Sequence, residues 1–263
     1  MKRKCLAVGI ILLFVGIACS PVTNAGNIQE ISTINRYPEK GLVRVHCYEY
    51  KSDGVIEETL ILLPKSEHLK MTQALLLTTS MDEKLEVYKT YGIIPSNETI
   101  QKMREKYDQY LIMKNINVSA IQEYRSHLKT AFPPRFILNL NCKIEAGGSF
   151  GININLGTNA ITQFWNAIAL YNYVINGIAP FYLPGIDLGA FSLGILGFVD
   201  VSEGTFPDKY ERLAFFSMIL LGFVGYYIEV IPLPIFNIGS AGYFGYTVFV
   251  LAIGTYQPEH LTI

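Results

Sequence analysis

An α+β fold is predicted for this chain: a small polar α+β portion followed by a glycine-rich, apolar, β-rich portion. Three observations predict it. Residues 28–145 carry 31 charged side chains, whereas the equally long stretch 146–263 carries nine. Sixteen of the 22 glycines fall in that second stretch. Apolar residues also alternate with period two in runs on both sides of the boundary near Ala146, as in strands with one buried face.

The chain opens with Lys2, Arg3 and Lys4, an apolar run from Leu6 to Ala18, and then small and polar residues. This is the pattern of an export signal over residues 1–25, with Thr23 and Ala25 placing cleavage after Ala25. Cys19 raises a lipoprotein reading, against which Gly16 stands where a bulky aliphatic residue is usual. An uncleaved signal anchor is a further alternative.

Residues 28–134 form the polar portion. Val43, Val45 and Cys47 share one face of a strand and Arg44, His46, Tyr48 and Tyr50 the other. Ser52-Asp53-Gly54 then turns the chain into a second β-branched and leucine-rich run, giving a hairpin. Ser80 and Glu83 have capping-box spacing before a helix that stops at Gly92 and Pro95. Ser96 caps a second helix, with Met103, Tyr107, Tyr110 and Leu111 on one stripe and Glu98 paired to Lys102. A third helix is expected over about residues 118–129, before Pro133 and Pro134.

Residues 135–263 form the apolar portion. Phe136, Leu138, Leu140, Cys142 and Ile144 alternate with Asn139, Asn141, Lys143 and Glu145, and the alternation resumes at Phe150. Gly147-Gly148 between the runs predicts a hairpin with a three-residue turn, each strand having one wet face. Residues 161–183 suit a helix docked on that sheet, and residues 201–212, with five charges, suit a solvated loop. Two readings stand for the uncharged runs beyond it. Residues 213–231 and 235–256 are long enough for a transmembrane helical hairpin, whereas their glycines and β-branched residues favour doubly buried strands.

Charged residues make up 16% of the chain and the mean hydropathy is +0.28. Ordinary soluble domains carry about 25% charge, so the balance leans towards a membrane or cell surface. A net charge of -1 supplies no basic field for phosphates, which excludes nucleic acid as a partner.

Few residues carry chemistry. After signal removal Cys47 and Cys142 remain, and an exported chain permits one disulfide between them; two buried thiols are the alternative. His46, His68, His127 and His260 lack metal-ligand spacing, and no nucleotide loop or nucleophile elbow is present, so no cofactor is implied. Asp187 and Glu229 stand isolated in apolar surroundings, as hidden acids or as ordinary loop and strand carboxylates. Asn97 and Asn117 begin N-glycosylation triplets.

The leader "MKRKCLAVGIILLFVG" and the stretch "TTSMDEKLEVYKTYGIIP" resemble a loose group of uncharacterised exported euryarchaeal proteins. The resemblance implies an archaeal cell surface and carries no activity or site residue. The expected function is an exported cell-envelope protein with a non-enzymatic structural or interaction role, partnered by a membrane surface or membrane protein. An integral membrane protein anchored by the helical hairpin is one alternative and an exported hydrolase another. The hydrolase would need Asp187, Glu229 and a histidine gathered in one place.

Overall fold

The computed structural model describes residues 41–117, 136–155, 188–233 and 238–256. Strands β1 (Leu42–Tyr50) and β2 (Ile56–Pro64) form the first hairpin. Its three-residue loop is closed by Lys51 N–H donating to Val55 O at 2.9 Å, with Gly54 at φ +94° and the Asp53 carboxylate accepting Val55 N–H. Helix α1 (Lys65–Leu77) follows directly. Its sequence does not announce it: Pro64 caps it without a side-chain hydrogen bond, and Met71 is its one fully buried residue.

Helices α2 (Met81–Thr90) and α3 (Ile100–Met113) lie where the sequence places them. Ser80 and Glu83 close the capping box, and Met103, Tyr107, Tyr110 and Leu111 form the buried stripe of α3. The cap of α3 is Thr99, whose hydroxyl accepts Lys102 N–H at 3.1 Å, and not Ser96. The expected helices over 118–129 and 161–183 lie outside the described residues.

Every regular element described in the apolar portion is a strand: β3 (Phe136–Asn155), β4 (Gly189–Ser202), β5 (Lys209–Leu221), β6 (Val224–Leu233) and β7 (Ile238–Tyr256). With β1 and β2 they make one seven-stranded sheet in the order β2-β1-β6-β7-β3-β4-β5, and every pairing is antiparallel. The polar and apolar portions thus share a sheet and a core. A further ladder from β5 to β7 closes β7, β3, β4 and β5 into a circuit.

β5 and β6 lie end to end along one edge of β7. Gly222, at φ +65°, makes the step between them: its N–H donates to Leu188 O and its O accepts from Val248 N–H. The Thr247 hydroxyl holds the same joint by donating to Leu221 O at 2.9 Å. The other edge of β7 pairs with β3 from Phe136 to Ser149. The sheet face bearing Val45, Cys47, Tyr226, Phe244 and Tyr246 faces the helices, and the opposite face of β3, β4, β5 and β7 lines the circuit.

Two expectations are corrected here. The helical hairpin weighed for residues 213–231 and 235–256 is absent, because these runs form β5, β6 and β7, and no helix among the described residues is long and apolar enough to cross a membrane. Glycine and β-branched content decided the matter, since a doubly buried strand needs apolar residues on both faces just as a span does. The hairpin expected at Gly147-Gly148 is one strand, β3. Gly147 pairs with Gly242 on one side and Phe198 on the other, and the Phe198 ring lies where a side chain at Gly147 would sit. A compensating pair of bulges, Leu196 in β4 and Phe150 in β3, restores the register beyond it.

Gly222→Ala tests the joint. A Cβ there would lie 2.5 Å from Val248 Cγ2 on a backbone that disfavours side chains. Urea denaturation should show a loss of about 2 kcal/mol or more.

Candidate functional site

Three groups of polar side chains stand out on this scaffold. The first is the row on β3 that alternation marks as wet. Asn139 is fully buried: its Oδ1 accepts N–H groups from Leu140 and Phe206, and its Nδ2 donates to Phe206 O. Tyr107 of α3 donates its hydroxyl to Asn141 Oδ1 at 2.8 Å. Lys143 pairs with Glu203 at 2.9 Å, and Glu145 pairs with Lys84 of α2, whose ammonium also lies over the Phe198 ring. The row is therefore a docking seam for α2, α3 and the turn 203–208. That turn is held against the sheet, and residues 209–212 belong to β5, so the expected solvated loop is shorter than its charges suggest.

The second group is half-buried between α3 and the sheet. Lys106 Nζ donates to Glu49 at 2.8 Å and to Glu98 at 2.7 Å, and the Tyr226 hydroxyl donates to the same Glu98 oxygen. Glu98 therefore pairs with Lys106, and not with Lys102 as expected. Its second oxygen is buried without a hydrogen bond. One cation between two carboxylates is a structural clamp: Lys106 serves both, and its loss would leave the buried Glu98 without a counter-charge.

The third group lies on the opposite sheet face, on the wing made by β2, β1 and β6. His46 stands directly across from Glu229. Its Nδ1–H donates to Glu58 at 2.6 Å. Rings of Tyr48, Tyr227 and Tyr243 stack beside it across three strands, with centroids 5.6 and 4.7 Å apart. Burial pushes the Glu229 carboxyl above the usual carboxylate range, with His46 and Tyr227 opposing the shift. Burial also raises the Tyr48 and Tyr227 phenols, so both stay neutral. This site offers an imidazole oriented by one carboxylate and facing another.

The structure thus brings Glu229 to a histidine, while Asp187, His127 and His260 lie outside the described residues. His68 is on α1, half-buried, with its pKa lowered by burial. Among the described residues no group of three His, Cys, Asp or Glu side chains is disposed to hold a metal ion. An open cleft of about 570 Å³ lies elsewhere, at the end of α3, where its one carboxylate, Asp108, already pairs with Arg104.

The disulfide expectation is corrected. Cys47 and Cys142 are free and buried. Cys47 aligns through Ile228 and Gly242 with Gly147, three strand spacings or about 14 Å from β3, and the two thiols point to opposite sheet faces. Burial pushes the Cys47 thiol up to about 12 and Cys142 higher still. Asn97 and Asn117 are exposed, one before α3 and one beyond it; Val118 and Ser119 of the second triplet are not described.

Exposed apolar surface has its own distribution. Among the described residues, eleven large hydrophobic side chains are exposed, and seven lie between positions 55 and 77. Val55, Ile56, Leu60 and Leu62 belong to the β2 arm; Leu69, Leu76 and Leu77 belong to α1, the last two being 80% and 83% exposed.

No family model, curated protein or solved structure matches the chain.

Two measurements check this geometry. Glu229→Gln should stabilise the protein at neutral pH. A raised carboxyl pKa in the folded state means the charged form is penalised there, so the gain should vanish as acid protonates Glu229 in folded and unfolded chains alike. Iodoacetamide should modify neither Cys47 nor Cys142 in the folded protein and both after denaturation without reductant; protection that persists after denaturation would restore the disulfide.

Proposed function

We propose that the protein is an exported cell-envelope protein with a non-enzymatic interaction role, and that α1 is the element it presents to a membrane surface or membrane protein. The observation that carries this reading is the concentration of exposed leucines on α1 and the β2 arm, in a chain whose buried charges are answered internally. Exposed apolar groupings of this kind mark contact surfaces. The leader-like residues 1–25 support the envelope as the place of contact. A second reading, an exported hydrolase, draws on the pairing of His46 with Glu58 and Glu229. It needs a nucleophile or activated water beside them, and the tyrosines there pack on one another instead.

Fractionation of cells expressing the full chain tests the proposal. The protein should reach the envelope fraction, be released by alkaline carbonate without detergent, and show a β-rich circular dichroism spectrum. Leu76→Glu with Leu77→Glu should shift it to the soluble exported fraction. Retention in the cytosol with the leader intact would sink the reading.

A further inference from the structure

We infer that β2 is the seam of a symmetric dimer, in which a second copy of this chain pairs with it antiparallel about Ile61. Lys51 N–H donates to Val55 O and Lys65 N–H to Gly41 O, each pair in register with the β1–β2 ladder. The odd-numbered residues of β2 therefore direct their N–H and C=O groups to β1. Ile56, Glu58, Leu60 and Leu62 direct theirs outward, at an edge where no described strand pairs. Every residue of β2 except Ile61 and Leu63 is exposed. A nine-residue edge of this kind is a template for another strand.

The charges choose the occupant. Antiparallel self-pairing about Ile61 sets Glu57 of each copy against Lys65 of the other, and both side chains are exposed. It sets Leu60 against Leu62, which are 37% and 52% exposed, so four leucines close over the seam on the face that bears His46. Leu60 and Leu62 then exchange N–H to O bonds across the axis, and Glu58 N–H reaches Pro64 O. Pro64 has no N–H to return to Glu58 O, so the ladder ends at this pair on each side of the axis and those carbonyls are left to water. A register centred on Glu58 would instead oppose two carboxylates and is disfavoured. The contact is isologous, so it closes as a dimer and does not propagate. It is independent of export and of what α1 contacts.

The test uses the full chain with Cys5 and Cys19 replaced by serine. Sedimentation equilibrium should give twice the chain mass at micromolar concentration. Ile61→Cys should crosslink to its counterpart on mild oxidation, because facing residues in such a pair have Cα atoms about 4.5 Å apart. Thr59→Cys, displaced from its own counterpart along the strand, should not. Lys65→Glu should weaken the dimer roughly tenfold or more while the far-ultraviolet spectrum is unchanged. A monomer at all concentrations, or a dimer that Ile61→Cys fails to crosslink, would overturn the inference.

Discussion

A strand face that alternates Asn, Asn, Lys and Glu is covered or half-covered in this protein, and the pairing of each of those groups organises much of what surrounds it. Asn139 receives the β4–β5 turn, Asn141 receives α3, Lys143 holds Glu203, and Glu145 holds Lys84 of α2. An unmade bond to the fully buried Asn139 would cost about 1–3 kcal/mol, so the turn is fixed in position as well as in contact. Gly204 shows how tight the fit is: a Cβ there would lie 2.3 Å from Asn139 Oδ1.

Strand β7 carries the second constraint. It is paired along both edges, by β3 on one and by β5 and β6 in succession on the other. Tyr107 stacks on Tyr246 at 5.6 Å from the helical side, while Thr247 ties the β5 end from the other. Closure of the circuit removes the edges of β3, β4 and β5 along their paired lengths. The β1–β2 hairpin lies outside that closure, attached through β6, and it is there that apolar side chains meet solvent and a histidine lies between carboxylates.

The three polar groups differ in what their burial does. The clamp of Lys106 with Glu49 and Glu98 holds α3 to β1 and β6, where removing Lys106 would leave two carboxylates uncompensated. The His46 group keeps one carboxylate, Glu58, exposed and the other, Glu229, half-buried. Exposed leucines on α1 belong to neither group. They are the part of the surface least explained by the fold itself and most readily by a partner.

Much of the architecture was legible in the chain. The capping box at Ser80, the stripe of α3 and the turn at Asp53-Gly54 depend on neighbours within a few residues, and period-two alternation marked β1 and β3. The even-numbered apolar residues from Phe136 to Ile154 keep one parity throughout, which already suits a single strand; Gly147-Gly148 suggested a turn because glycine permits one without requiring it. Helix α1 was missed for lack of a cap and a buried stripe. By itself the sequence determined the local elements, the apolar character of the second half and the export-like leader. Tertiary structure decided which polar residues lose water, that Cys47 and Cys142 never meet, and that Glu229 faces His46, because each depends on strand order between residues far apart in the chain, which local periodicity does not encode.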